Sequence, residues 1–134
     1  MSENIIVKRL IEYIESHLNE NLSLDKIAKE LNYSKFYISR IFAKETGCTI
    51  YKYIQGRRLT QAARKLVETK EPIAWIAYEA HYNSQQAFTL AFRQLYFCTP
   101  QTYRKNGVFA PKQPQMNLKC SARHSYMWGG RMAA

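Results

Sequence analysis

Residues 33–42 read YSKFYISRIF. Wound as a helix, Ile38, Ile41 and Phe42 share one face, while Lys35, Phe36, Ser39, Arg40 and Ala43 share the other. The first set is a core stripe. The second set can do chemistry on nucleic-acid bases. A guanidinium such as Arg40 can bond guanine bidentately, discriminating by about 1–3 kcal/mol, and an aromatic such as Phe36 can pack on thymine methyls. The hydroxyl of Ser39 can bond several bases and so discriminates weakly. A structural alternative stays open at this point: Phe36 packs against a neighbouring helix and Arg40 is merely solvated.

A second stretch, SQQAFTLAFRQLYF (84–97), has the same organisation. Phe88, Phe92 and Leu95 form its core stripe. Gln86, Thr89, Leu90 and Arg93 face outward, with Gln85 near the start. Gln can pair with adenine, whereas Leu90 offers only an apolar contact. This segment is expected to discriminate bases less and to lean more on backbone contacts, or to be purely structural.

No competing chemistry stands out. Cys48, Cys98 and Cys120 form no CxxC pair, and His17, His81 and His124 are scattered, so no metal-ligand spacing appears. Cys48 and Cys98 read as small, reduced, buried residues. No nucleophile–base pair or phosphate loop is evident, and Ser34 and Ser84 serve as helix caps. The expectation is a non-enzyme without cofactor or metal.

The positioning elements follow from periodicity and caps. Helices are expected over about Asn4–Leu18, Leu24–Leu31 (capped by Ser23), Ser34–Thr46 (stopped by Gly47), Thr49–Thr69, residues 73–80, Ser84–Phe97, and a short one from Thr99 with Pro100 in its first turn. A short helix, a tight break at Asn32-Tyr33 and a second helix give helix-turn-helix spacing. Gly56 inside the long helix costs roughly 1 kcal/mol relative to Ala, and close approach of another backbone or simple tolerance would each account for it.

The two chemical stretches lie in a repeat. Ile27, Ala28, Glu30 and Tyr33 match Ile76, Ala77, Glu79 and Tyr82 at one spacing. After one extra residue, Ser34, Phe42, Cys48, Thr49 and Tyr53 match Ser84, Phe92, Cys98, Thr99 and Tyr103. Nine identities in register across a helix-break-helix pattern imply an internal duplication. A helix-turn-helix places its second helix in the major groove, and groove faces on one side of DNA recur about 34 Å apart. A linking helix of some 20 residues spans about 30 Å. One chain can then address two adjacent grooves as a monomer, at a non-palindromic site.

Charge points the same way. The chain carries 20 Lys+Arg against 10 Asp+Glu, net +10, and no acidic residue follows Glu79. Polyanions are the natural partners. Candidate phosphate contacts are Lys35, Gln85, Arg57 and Arg58 on the linking helix, Gln101 and Arg104 on the last helix, and the helix amino ends at Thr49 and Thr99. Free N–H groups and the helix dipole favour an anion at such ends, though both hydroxyls can equally be simple caps. No apolar run approaches the roughly 18 residues of a membrane span. With no signal-peptide pattern at the start, the expected location is the cytoplasm.

These motifs together, LSLDKIAKELNYSKFYISRIFAKETG, YIQGRRLTQAARKL, PIAWIAYEAHYNSQQAFTLAFR and TPQTYRK, resemble the AraC/XylS transcription regulators, and among them the small MarA/SoxS/Rob type. The resemblance covers roughly residues 5–105. It implies an all-α fold of two helix-turn-helix subdomains joined by a central helix and about seven helices in all. It also implies monomeric binding to double-stranded promoter DNA in a bacterial cytoplasm, at the nucleoid, and activation through RNA polymerase, often of stress and multidrug-resistance genes. Relatives turn positions matching Phe36, Ser39, Arg40, Gln86, Thr89 and Leu90 toward bases. They usually carry Trp at Phe36, Gln at Ser39 and Arg at Leu90, and a familiar Arg is replaced by Gln55. The departures bear on which sequence is bound, not on how. Many relatives add an effector domain, for which 134 residues leave no room.

The expected organisation is an N-terminal helix-turn-helix subdomain (1–48), a linking helix (49–70), a C-terminal helix-turn-helix subdomain (71–106) and a mostly disordered basic tail (107–134). Two further readings compete with a sequence-specific activator: a nonspecific nucleic-acid or nucleoid protein acting by charge, and an adaptor whose outward aromatics bind protein.

Overall fold

The computed structural model describes residues 3–116, and their regular structure is entirely helical. The helices are α1 (Glu3–Ser16), α2 (Leu24–Leu31), α3 (Lys35–Thr46), α4 (Ile50–Glu68), α5 (Ile73–Glu79), α6 (Gln85–Tyr96) and α7 (Pro100–Asn106). The chain divides into two compact units, residues 3–55 with 115–116, and residues 56–114. Helix α4 begins in the first and ends in the second.

In the first unit α1, α2 and α3 pack on one another. Val7, Leu10, Ile14, Ile27, Ile38, Ile41 and Phe42 are fully buried, as is Tyr53 from the start of α4. The Phe42 and Tyr53 rings lie 5.6 Å apart. Local signals set the boundaries. Ser23 Oγ accepts from the Lys26 N–H and Ser34 Oγ from the Tyr37 N–H, both at 3.1 Å. Asn32 between α2 and α3, and Gly47 after α3, take left-handed backbone at φ 62° and 77°.

The second unit repeats this backbone. Helix α5 packs on α6 and α6 on α7, around Ile76, Phe88, Phe92 and Leu95, with Leu59, Ala63 and Leu66 buried along α4. Ser84 caps α6 through the Ala87 N–H at 3.0 Å, as Ser34 caps α3. His81 (φ 69°) and Phe97 (φ 64°) hold the left-handed positions that Asn32 and Gly47 hold in the first unit. For side chains other than Gly and Asn that conformation costs on the order of 1–2 kcal/mol.

Residues 107–116, expected to begin a mostly disordered tail, make hydrogen bonds to the helices. Their composition has no helical or strand period, but their backbone groups have partners. The Ala110 N–H donates to Tyr103 Oη at 2.8 Å, and the Ala110 carbonyl accepts from Tyr96 Oη at 2.9 Å. The Gln113 N–H donates to Thr60 Oγ1 at 3.1 Å, and its carbonyl accepts from Arg57 Nη1 at 2.8 Å. The Met116 N–H donates to Tyr53 Oη at 3.2 Å, and its side chain joins the first unit's core. The remainder of the expected tail, including Tyr126, Met127 and Trp128, lies outside the described residues.

This segment explains the glycine within α4. A Cβ on Gly56 would meet Gln113 Cβ and Cγ at 3.0 Å. Gln113 is fully buried and held at both its N–H and its carbonyl, so it has little room to yield. Gly56→Ala gains about 1 kcal/mol of helix propensity but overpacks the site at about 1–3 kcal/mol. The expected net result in urea unfolding is a loss of about 1 kcal/mol; a gain would show that residues 107–116 pack loosely. Arg57→Met leaves the buried Gln113 carbonyl unpaired and is expected to cost about 1–3 kcal/mol of stability. A Tm equal to that of the unaltered chain would remove Arg57 from this structural role.

Candidate nucleic-acid interface

With Ile38, Ile41 and Phe42 turned inward, α3 presents Lys35, Phe36, Arg40 and Ala43 to solvent, and Ser39 half-buried. Phe36 is 78% exposed, so it is not packed against a neighbouring helix. The Arg40 guanidinium lies over the Tyr37 ring at 5.5 Å, a placement that stiffens a long side chain while leaving its N–H edge available. Lys35 sits 3.2 Å from Asp25 Oδ1 and 5.7 Å from the Phe36 ring. That ion pair is exposed and contributes little to stability.

On α6, Gln85, Gln86, Leu90 and Arg93 are exposed and Thr89 is half-buried. The pattern matches α3 position for position, with Leu90 where Arg40 stands. Thr49 and Thr99 both act as caps. Each hydroxyl accepts from the N–H three residues on, Lys52 or Thr102, at 3.1 Å. The amino end of α4 retains further N–H groups and its positive dipole end. Gln101 is exposed on the first turn of α7.

Two of the arginines expected at phosphates bond carbonyls of the chain itself. Arg57 is 7% exposed and bonded to the Gln113 carbonyl. Arg104 donates from Nε to the Leu66 carbonyl at 2.9 Å and from Nη2 to the Glu71 carbonyl at 2.7 Å, tying α7 to the end of α4 and the loop after it. The guanidinium fork suits two divergent carbonyls, and both guanidinium groups are fixed on the protein's own backbone. Arg58 is half-buried; burial lowers its pKa from the ordinary value, with Tyr82 opposing the shift.

Sequence reasoning missed Tyr51 and Phe97, which are 68% and 60% exposed. Tyr51 lies in the first turn of α4 beside Thr49, and Phe97 at the end of α6. The signal for Phe97 was its place in the repeat: it matches Gly47, where a large ring is unexpected. Cys48 is buried as expected, its thiol pushed up to about 11 by burial, and is therefore a poor nucleophile at neutral pH. Cys98 is half-exposed rather than buried. Among the described residues no group of His, Cys, Asp or Glu is arranged to hold a metal ion, and no helix is long and apolar enough to cross a membrane.

A family model described as a helix-turn-helix domain matches residues 27–106. The multiple antibiotic resistance protein MarA of Escherichia coli is 36% identical over 107 residues, covering 80% of this chain and 84% of that protein. The regulatory protein SoxS of Salmonella typhimurium is 42% identical over 104 residues, 78% of this chain and 97% of that protein. Among solved structures, the C-terminal domain of AraT, a response regulator from Geobacillus stearothermophilus, superposes with a TM-score of 0.72 at 30% identity, covering 84% of this chain and 93% of that one. The duplicated helix-turn-helix units and their outward helix faces thus have a family: the chain belongs to the AraC-type helix-turn-helix DNA-binding transcription regulators, related to MarA and SoxS.

Proposed function

We propose that the protein binds an asymmetric promoter site in double-stranded DNA as a monomer, with α3 and α6 in successive major grooves, and activates transcription through RNA polymerase. The observation that carries this reading is the pair of repeated helix-turn-helix units, each with a serine-capped second helix whose inward face is buried and whose outward face is exposed. Arg40 contacts guanine, Phe36 packs on thymine methyls and sugars, and Ser39 supports them. On α6, Gln86 and Thr89 contact bases near the helix start, with Leu90 and Arg93 at the groove margin. Lys35, Thr49, Arg58, Gln85, Thr99 and Gln101 meet phosphates. Helix α4, at 19 residues, is about 28 Å long, close to the spacing of adjacent grooves. By likeness to MarA, the regulated genes belong to antibiotic resistance and related stress responses. The protein works in the cytoplasm, at the nucleoid.

The second reading is a nonspecific nucleic-acid protein driven by the net charge of +10. Selection of bound sequences from a random DNA pool separates the two. The expected result is one asymmetric motif, with a guanine that Arg40→Ala no longer selects, at a cost of about 1–3 kcal/mol on the selected site. Leu90→Ala is expected to change the motif less. A pool that emerges without enrichment overturns the specific reading.

Salt dependence tests how few cations reach phosphates. Lys35 and Arg58 are the cations that the proposed interface assigns to phosphates. Two neutralised phosphates give a slope of log K against log salt of about −2. A slope steeper than about −7 would mean that most of the surface charge engages DNA, as the nonspecific reading requires.

A further inference from the structure

Leu90, Arg93, Gln94 and Phe97 follow one another at i, i+3, i+4 and i+7, the spacing of a single stripe along a helix. All four are exposed, and they line an open depression of about 380 Å³. The core of this unit is served by the opposite stripe, Phe88, Phe92 and Leu95. Leu90 and Phe97, 64% and 60% exposed, are therefore large apolar side chains held outward on a helix whose folding face lies elsewhere. Phe97 also occupies left-handed backbone, at φ 64°, where the equivalent residue of the first unit is glycine. Strained backbone that holds an exposed ring in place is a mark of a functional surface.

We infer that this stripe docks a protein segment with apolar anchors flanked by carboxylates. The charge around it selects that chemistry. The Lys112 ammonium lies 5.7 Å from the Phe97 ring and 5.9 Å from the Tyr96 ring, and Arg93 stands exposed within the stripe. No acidic residue occurs anywhere from Ala80 to the end of the chain. An apolar stripe with cations beside it accepts an acidic amphipathic helix laid along it, anchored at i, i+3, i+4 and i+7. A second copy of this chain would bring the same positive charge to the contact. DNA fits less well, because a recognition helix contacts base edges with its N-terminal residues. Phe97 lies about 16 Å along the axis from Gln86, at the far end of the helix. The inference rests on the reading above in one respect only, that the N-terminal half of α6 is the half turned to DNA.

The test uses the full chain and a fluorescein-labelled helical peptide with Leu at i, i+3, i+4 and i+7 and Glu between them, against a scrambled peptide of identical composition. Anisotropy titration on the free protein is expected to show saturable binding of the patterned peptide, at least about tenfold tighter than the scrambled one. Phe97→Gly restores the residue type of the first unit and relieves the backbone. It is expected to weaken peptide binding at least about tenfold while leaving DNA affinity within about twofold. Lys112→Gln is expected to weaken the peptide and flatten its salt dependence.

Equal binding of the two peptides, or peptide binding that Phe97→Gly leaves unchanged, overturns the proposal. So does a loss of DNA affinity in Phe97→Gly, which assigns the stripe to DNA. A dimer in sedimentation that Phe97→Gly dissolves assigns it to a second copy and overturns the proposal as well. If random-pool selection yields no motif while patterned binding persists on the free protein, the DNA reading fails and the docking surface stands.

Discussion

Burial of Ile38, Ile41 and Phe42 against α1 and α2 decides what α3 can offer on its other side. A 12-residue helix is marginal alone in water, so its existence depends on that packed face. Once those three side chains are fixed inward, the helical period leaves no choice for the rest: Phe36, Arg40 and Ala43 must point out. The exposed aromatic is thus a by-product of a rigid core contact, and the core contact is what holds it still. The cap at Ser34 fixes where the helix starts, and with it the angular position of every later residue. Phe88, Phe92 and Leu95, with Ser84, impose the same constraint on α6.

The duplication kept the interior and altered the exterior. Both units place a left-handed residue between the two helices and another after the second. In both, an N–H five residues after a carbonyl closes the turn, Tyr33 to Ala28 at 3.0 Å and Tyr82 to Ala77 at 3.1 Å. Even the paired tyrosines have paired tasks: Tyr53 accepts the Met116 N–H and Tyr103 accepts the Ala110 N–H. The outward positions diverge in both directions, since Phe36 and Ala43 correspond to Gln86 and Arg93. Lys26, Lys29, Arg40 and Gly47 in the first unit correspond to Trp75, Tyr78, Leu90 and Phe97 in the second. Trp75 and Tyr78 stack with rings 5.3 Å apart, and both are at least half exposed.

The sequence made the helices legible because their signals are local. Ser23, Ser34, Ser84 and Gly47 mark ends within three or four residues of the bonds they make, and α2 has the bounds that its periodicity predicts. The outward faces followed from the inward ones by the same period. Residues 107–116 were not legible, because nothing in GVFAPKQPQM is periodic and its partners, Thr60, Arg57 and Tyr53, lie more than 50 residues away. The same distance hid the roles of two arginines. Arg57 and Arg104 look like surface cations in a basic chain, and only the fold brings buried carbonyls to them. Gly56 was readable as a question, whether another segment approaches α4, and only the packed Gln113 answers it.

Those arginines change what the net charge of +10 means for binding. Arg57 and Arg104 are bonded to backbone carbonyls, Arg64 lies over the Phe109 ring at 5.0 Å, and Lys65 is 2.8 Å from Glu79 Oε1. Their charges still contribute to the field of the whole protein, which attracts DNA over a Debye length of about 8 Å and speeds encounter. Guanidinium groups held on carbonyls are poorly placed to fold over a phosphate and displace its counterions, and that displacement sets the salt-dependent affinity of the bound state. Total charge therefore governs how fast the protein finds DNA. How tightly it stays depends on the cations that do reach phosphates.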